Sequence, residues 1–410
     1  MAFTRNPSDT SVSPATYTAA GPSELQLTAQ PKDIAIDGSQ ETDTISVNAS
    51  GIETMSLTNY NVRGFEGNDI ITFAANTISN SVINGNIGAD VMTLTTGNFT
   101  NSYFLGGKGD DTVKSFGVNG GEVNGEVNGN IGNDTLDIKG GGVDMFVGGG
   151  KNNDIINIQG DFVRSIIDGN KDNDTINVVG GTYTDSTVFG GDGDDAILAE
   201  NGSTSSGLVM SGDLGNDSLV SKDNQNTLIT GGEGQDTIVS ESIGGATSVI
   251  NGGVDADNIF ILQGAGRAAT LETIIFNPGD SVAATEFADT TQGAITSSGQ
   301  SILGFDNGVD TITGFGVNDK VDISFAPPAG IIDGTTLPTN SILQVGTITA
   351  FRGTYDADKK DFNLGAGVLG AGSDYLYVVG GENQTISQTF TSSSNMFVSV
   401  GSQLGIGNFV

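Results

Sequence analysis

Apolar and polar residues alternate along residues 33–263 in short runs that recur about every 21 residues. Each repeat has a Gly and, five residues later, an Asp, with an apolar residue two positions before the Gly and another two positions after the Asp. Alternation with a period of two is typical of β-strands, so each repeat predicts two short strands with inward apolar side chains. A fixed period of this length indicates a solenoid in which each repeat is one coil.

Eleven repeats align on these positions. The glycines are Gly38, Gly64, Gly85, Gly106, Gly129, Gly149, Gly169, Gly190, Gly212, Gly231 and Gly252. The aspartates are Asp43, Asp69, Asp90, Asp111, Asp134, Asp154, Asp174, Asp195, Asp217, Asp236 and Asp257. We therefore expect an all-β fold, a parallel β-roll or β-helix solenoid of about eleven coils, with two sheets facing each other across one apolar layer.

The rest of the chain divides by composition. Residues 1–32 are rich in Ser, Thr, Ala and Pro and predict an extended N-terminal arm, either a tail or a contact to a neighbouring subunit. No proline occurs between Lys32 and Asn277, which agrees with continuous sheet because proline cannot donate to a strand ladder. The solenoid is placed at 33–263 and a linker or cap at 264–300. Residues 301–410 predict a C-terminal β domain of antiparallel strands, with a possible secretion or assembly segment.

Composition removes several classes of function. The 410 residues carry a formal charge of −34 and contain neither His nor Cys, so thiolate zinc sites, disulfides and His-based catalysis are excluded. We expect no nucleic-acid partner for so acidic a chain, because phosphate binding requires clustered Lys and Arg. No apolar run is long enough for a membrane helix, and the first 30 residues lack a signal-peptide pattern. We expect no membrane span and export without an N-terminal signal.

The turn between the two strands carries the candidate chemistry. In Gly106-Gly107-Lys108-Gly109-Asp110-Asp111 the glycines permit positive φ, and the turn offers carboxylate and carbonyl oxygens. Oxygen ligands on a flexible turn suit calcium. Carboxylates stacked in register about 5 Å apart repel each other unless a cation lies between them. The alternative is that stacked Asn and Asp side chains only hydrogen-bond the turn backbone, with no metal.

These turns resemble the repeats of the RTX, or haemolysin-type calcium-binding, family. The turn at Gly106, with those at Gly190-Gly191-Asp192-Gly193-Asp194-Asp195 and Gly231-Gly232-Glu233-Gly234-Gln235-Asp236, fits the family nonapeptide G-G-x-G-x-D-x-U-x. The resemblance implies a roll whose turns hold Ca²⁺, although this chain has such turns on only one edge. The implied metal-site residues are Asp69, Asp90, Gly106, Gly107, Gly109, Asp111, Asp134, Asp154, Asp174, Gly190, Asp192, Gly193, Asp195, Asp217, Gly231, Gly234, Asp236 and Asp257.

A second resemblance lies nearer the C-terminus. The segment from Asp310 to Ser324 looks like the one that follows calcium rolls in exported RTX proteins, where the last residues form an uncleaved export signal. We expect a non-enzymatic calcium-binding structural protein, extracellular or at a cell surface, that self-associates into a homo-oligomer or lattice or attaches to cell-surface polysaccharide. Surface-layer, filament and coat proteins are the nearest analogues. A virion appendage or capsid decoration protein and a polysaccharide-acting β-helix enzyme remain the alternatives.

Overall fold

The computed structural model describes about two thirds of the chain in detail, mostly in the repeat region. The described residues are 4–5, 15–18, 24–27, 32–48, 56–117, 122–200, 207–222, 227–241, 247–262, 271–276, 286–287, 302–304, 310–314, 319–322, 331–333, 342–343, 348–358, 361–363, 374–379, 384–385, 395–400, 403–404 and 408–409. They contain no α-helix, and therefore none that is long and apolar enough to cross a membrane. The chain divides into two compact units, Met1–Met210 and Ser211–Val410.

The fold is the expected parallel β-solenoid, with about nine turns. This is slightly fewer than the eleven coils predicted. Strands of successive coils pair parallel and in register throughout the repeats of each unit.

The first unit contains the strands β1 to β23. Their bounds are β1 Thr4–Arg5, β2 Ala15–Thr18, β3 Glu24–Leu27, β4 Lys32–Asp37, β5 Thr44–Asn48, β6 Ser56–Glu66, β7 Ile70–Ser79, β8 Val82–Ile87, β9 Val91–Thr100, β10 Tyr103–Lys108, β11 Thr112–Gly117, β12 Glu122–Val123, β13 Glu126–Ile131, β14 Thr135–Lys139, β15 Gly142–Val143, β16 Phe146–Lys151, β17 Ile155–Gln159, β18 Phe162–Val163, β19 Ile166–Lys171, β20 Thr175–Val179, β21 Tyr183–Thr184, β22 Thr187–Asp192 and β23 Ala196–Glu200.

The remaining strands follow in chain order. They are β24 Val209–Leu214, β25 Ser218–Lys222, β26 Leu228–Glu233, β27 Thr237–Glu241, β28 Thr247–Val254, β29 Asn258–Ile261, β30 Leu271–Ile275, β31 Glu286–Phe287, β32 Ile302–Gly304, β33 Asp310–Thr313, β34 Lys320–Asp322, β35 Ile331–Asp333, β36 Ile342–Leu343, β37 Ile348–Asp356, β38 Asp361–Asn363, β39 Asp374–Val379, β40 Gln384–Thr385 and β41 Asn395–Val400.

The two inward apolar rows predicted from the alternation are confirmed. All of their members are at most 1% exposed. The row after the Asp is Ile45, Ile71, Met92, Val113, Leu136, Ile156, Ile176, Ile197, Leu219, Ile238 and Ile259. The row before the Gly is Ile36, Val62, Ile83, Phe104, Val127, Val147, Ile167, Val188, Met210, Ile229 and Ile250.

A third sheet corrects the two-sheet picture. In the first unit, residues 56–58, 77–79 and 98–100 pair in parallel along the edge opposite the Gly/Asp turn, and β12, β15, β18 and β21 continue that sheet. Its inward side chains are buried residues, namely Leu57, Ile78, Phe99, Phe162 and Tyr183. The coils there have three sides rather than two, and aromatic rings fill the wider core: Phe162 stacks on Tyr183 with centroids 5.6 Å apart.

The second unit extends the solenoid beyond the last predicted repeat. Strand β33 pairs in parallel with β29, so Asp310 takes the place next to Asp257. On its other side β33 pairs in parallel with β41, and β41, β39 and β37 pair antiparallel. Phe397 stacks on Phe276 at 4.8 Å. The antiparallel strands expected in this region are therefore present among its described residues.

The third sheet makes a first prediction. Replacing Phe162 with Ala should lower the free energy of unfolding by about 3–5 kcal/mol, because it removes a fully buried ring and its stacking partner's contact surface. Ile155→Ala is the matched control, since Ile155 is 45% exposed on the outer face, and should change stability by less than about 1 kcal/mol. Urea unfolding followed by circular dichroism measures both. Equal losses for the two variants would contradict the three-sided core.

Candidate metal site: a row of buried aspartates

The Asp of each repeat points into the solenoid rather than into solvent. The aspartates of the row are at most 2% exposed. In the first unit the backbone N–H of each Asp donates to Oδ1 of the Asp one coil further on, at 2.7 Å for every pair from Asp43 to Asp195. In the second unit the same bonds join Asp217 to Asp236, Asp236 to Asp257 and Asp257 to Asp310, at 2.8–3.0 Å. We call these bonds the inner ladder.

The second carboxylate oxygen of the row is handled differently. Oδ2 is buried and has no hydrogen-bond partner at seven of the aspartates, namely Asp69, Asp90, Asp111, Asp134, Asp154, Asp174 and Asp236. At the first repeat, Asp43 Oδ2 instead accepts from the backbone N–H of Ser39 at 2.5 Å. A buried carboxylate oxygen without a partner is costly, so the row as a whole calls for a proton or a cation.

The Gly five residues before each Asp makes room for this oxygen. A Cβ on Gly106 would lie 2.5 Å from Asp111 Oδ2 and 2.7 Å from the carbonyl oxygen of Gly129 in the next coil. The same overlap with the repeat's own Asp occurs at Gly38, Gly64, Gly85, Gly129, Gly149, Gly169, Gly212, Gly231 and Gly252. At most of these glycines a backbone carbonyl oxygen of the next coil also lies within 3 Å of the Cβ position. Oδ2 and the carbonyl oxygen are both acceptors, so neither satisfies the other.

Burial shifts the acidity of the row. It raises the pKa of Asp111 and Asp174 from the usual 3.8 to about 8, against the opposing effect of the inner-ladder hydrogen bond, and the neighbouring aspartates raise it further. For the same leading cause the pKa is raised to about 7 at Asp69 and Asp154. It is raised to about 6 at Asp90, Asp134 and Asp236.

The donor set around Oδ2 is made of oxygens. Among the residues that the structure describes, no three His, Cys, Asp or Glu side chains group together in a way that could hold a metal ion. A cation in the row would therefore take one or two Asp Oδ2 atoms and complete its shell with backbone carbonyl oxygens such as that of Gly129. Hard oxygens, partly from the backbone, are the ligands calcium accepts, and the unpartnered oxygens with the glycine space beside them fit such an ion.

Most of the other predicted turn residues have the positive φ that the turn requires, whereas Asp192 does not belong to the buried row. Gly107, Gly109, Gly193 and Gly234 have φ between 119° and 149°, and a Cβ on Gly109 would overlap the backbone of Gly88 in the preceding coil. Asn152, Asp172 and Asp255, which replace Gly at the fourth turn position, have φ of 71–80°, as expected for residues that tolerate the left-handed region. Asp192 lies apart from the row, because it is exposed and pairs with Lys171 at 2.9 Å.

Two further ladders were not predicted. Four residues before the Gly, buried serines accept from the preceding coil: Tyr60 N–H donates to Ser81 Oγ at 3.0 Å and Ser81 N–H to Ser102 Oγ at 3.1 Å. On the outer side of the turn, the Asn or Asp that precedes the buried Asp in several coils forms an exposed ladder of opposite polarity. Asn133 Oδ1, for example, accepts from the N–H of Asn153 in the following coil. The recurrence of Ser and of Asn or Asp at these positions was the available signal.

The raised pKa values predict that the metal-free protein loses stability as pH rises. Because each pKa lies above its unfolded value, the folded chain binds more protons than the unfolded chain between about pH 4 and pH 8, and the free energy of unfolding falls over that range. In chelator we expect the midpoint of thermal unfolding to drop by at least ~5 °C from pH 5 to pH 8. Saturating calcium should flatten this dependence. A midpoint that rises with pH in chelator would contradict the assignment.

Comparison with known proteins adds no relative. No family model matches the chain, and no curated protein matches its sequence. The likeness to RTX turns rests on the residues of the turns themselves.

Proposed function

We propose that the chain is a non-enzymatic, calcium-binding structural protein that acts outside the cell by self-association or by attachment to a surface. The observation that carries the calcium part is the buried Oδ2 without a partner at six successive coils of the first unit, from Asp69 to Asp174, and again at Asp236 in the second unit. When bound, calcium would supply positive charge that neutralises the carboxylates. The chain's own part is to hold each Oδ2 beside a glycine carbonyl while Oδ1 stays in the inner ladder.

The structural role is supported by where the regular features lie. The most repeated polar groups of the chain are inside the solenoid, where they join one coil to the next. A solenoid stabilised by nearest-neighbour contacts gains stiffness from every coil that is cross-linked to the next. The formal charge of −34 also favours a setting with abundant divalent cations, since self-repulsion weakens a compact acidic chain.

The variant Asp111→Asn separates a metal site from a plain ladder. The amide keeps an oxygen for the N–H of Asp90, replaces the buried charge, and places an N–H donor where Oδ2 meets the carbonyl of Gly129. Without calcium the free energy of unfolding of the variant should therefore be about 1–3 kcal/mol higher than that of the wild type. In millimolar calcium the order should reverse, because the variant lacks a ligand, and isothermal titration should count fewer bound ions.

The control for this test is Asp110→Asn. Asp110 neighbours Asp111 in sequence but is exposed, and its Oδ1 accepts from Asn133 N–H at 2.8 Å in the outer ladder. This variant removes the same formal charge and should leave the calcium stoichiometry unchanged. A wild-type chain that binds no calcium and has the same stability in calcium and in chelator would overturn the proposed function.

A further inference from the structure

A groove of about 420 Å³ opens on the outer face of the first unit, next to the Gly/Asp turns. It spans four successive coils and contains a single acidic and a single basic side chain, Glu66 and Lys108. Its walls include the exposed apolar residues Phe65, Ile87 and Ile131, which are 38–49% exposed. On a chain of net charge −34 this is a locally neutral, partly apolar surface, of the kind that marks an interaction site.

Strand register arranges the groove into two columns that run from coil to coil. Phe65 pairs with Asn86, and Asn86 with Gly107, on β6, β8 and β10. One position further along the same strands lie Glu66, Ile87 and Lys108. The central coil therefore carries Asn86 and Ile87, with Phe65 and Glu66 on one side and Gly107 and Lys108 on the other.

Each column would fit the same column of a second copy that runs in the opposite direction, with the two central coils facing each other. A two-fold axis along β8, lying in the plane of the face, sends the coil of β6 onto the coil of β10. Glu66 of one copy then meets Lys108 of the other, and the ring of Phe65 meets the space that Gly107 leaves. Ile87 meets its own equivalent. Self-complementarity of this type is the requirement of an isologous dimer interface.

The Phe65 ring, which would fill the space beside Gly107 of the second copy, already has a contact partner within the single chain. The guanidinium of Arg63 lies 5.1 Å from the centroid of the Phe65 ring, and Arg63 is itself held by Asp37 at 2.8 Å. Phe65 has φ of 78°, where the equivalent residues Asn86 and Asn130 have φ of 77° and 80°. An aromatic residue therefore occupies a position of positive φ that the neighbouring coils give to Asn or Gly, and a bulky residue there needs a reason beyond the turn itself.

We propose that this face, centred on Ile87, binds a second copy of the chain in a two-fold dimer, with Glu66 and Lys108 paired across the interface at both ends. The proposal rests on the self-association part of the proposed function and names the surface and partner. The groove carries one acidic and one basic side chain, Glu66 and Lys108, so two strongly acidic chains can approach there without strong local repulsion.

The test is a charge swap on the full chain, with molecular mass measured by sedimentation equilibrium over a range of protein concentrations. The wild type should form a dimer of twice 41.7 kDa. Glu66→Lys and Lys108→Glu should each weaken dimerisation at least ~tenfold, because each brings two like charges together at both ends of the interface. The double variant E66K/K108E should recover the wild-type dissociation constant to within ~threefold, since the pairs re-form with reversed polarity.

Two further variants guard against misfolding and unspecific charge effects. Phe65→Asn removes the aromatic ring and introduces a residue type that Asn86 and Asn130 show is accepted at this φ. It should therefore weaken dimerisation and leave the circular dichroism unchanged. Lys171→Glu lies in the same column, beyond the groove, with Asp192 as its partner, and should leave the dissociation constant unchanged.

The outcomes separate the dimer face from the proposed function. A wild-type dimer with unaltered single variants, or with a double variant as weak as the singles, would overturn this face while self-association stands. A wild type that remains monomeric would overturn both the face and the self-association part, and would leave the groove to a small ligand. Calcium binding is decided separately by the Asp111 variant, and the masses are measured in calcium and in chelator.

Discussion

The hydrogen bond from the backbone N–H of one Asp to Oδ1 of the Asp in the next coil is the interaction on which the other features of the repeat depend. It satisfies a backbone donor at a turn that lies inside the solenoid, where an unpaired N–H would be costly. It also determines where the rest of the carboxylate goes, because Oδ2 is then directed at the residue five positions earlier. Only Gly can stand there, as the overlap of a Cβ on Gly106 with Asp111 Oδ2 shows. The recurring Gly and Asp are thus one structural requirement rather than two.

That arrangement divides the two oxygens of each carboxylate between two tasks. A ladder without metal and a row of metal ligands looked like alternatives at the level of sequence, but Oδ1 serves the ladder at 2.7 Å while Oδ2 at seven aspartates remains without a hydrogen bond. The ladder therefore does not compete with a cation for the same atom. It holds the carboxylate inside the solenoid, where burial raises the pKa of Asp111 to about 8 against the lowering effect of the ladder hydrogen bond itself. A cation in the row would compete with a proton for Oδ2, so the acidity of the row and its metal content would be coupled.

Much of the fold could be predicted because the Gly and Asp mark each coil at a constant separation. With those two positions aligned, the period-two rows such as Ile83 and Met92 follow directly, and both are buried. The third sheet could not be derived in that way. Its inward residues, among them Leu57 and Phe162, stand seven positions before the Gly of their repeat, but other repeats have Glu122 or Gly142 at that position, so no continuous apolar row marks it in the sequence. The burial of the Asp itself was missed for a different reason. A charged residue in a Gly-rich turn is usually taken to face solvent, and only the register of successive coils shows the N–H that receives it.

Inward-facing and outward-facing side chains of the same turn are under different constraints, and this difference indicates where a specific binding surface can lie. Inward positions must stack on their equivalents in both neighbouring coils, so they change little from Asp69 to Asp236. Outward positions of the same strands are less constrained, because their contacts between coils are exposed pairs such as Lys171 with Asp192, and they vary widely along the column Glu66, Ile87 and Lys108. Variation alone does not indicate binding. A surface on which acidic faces basic and large faces small across one central coil, however, is self-complementary under a two-fold rotation, and the repeat itself does not require this. The pairs Phe65 with Gly107 and Glu66 with Lys108 both fulfil this requirement about the coil of β8. They line the same groove, in which Gly107 has no side chain. In a repeat protein the core specifies the rod, and departures from the repeat on its surface specify what the rod binds.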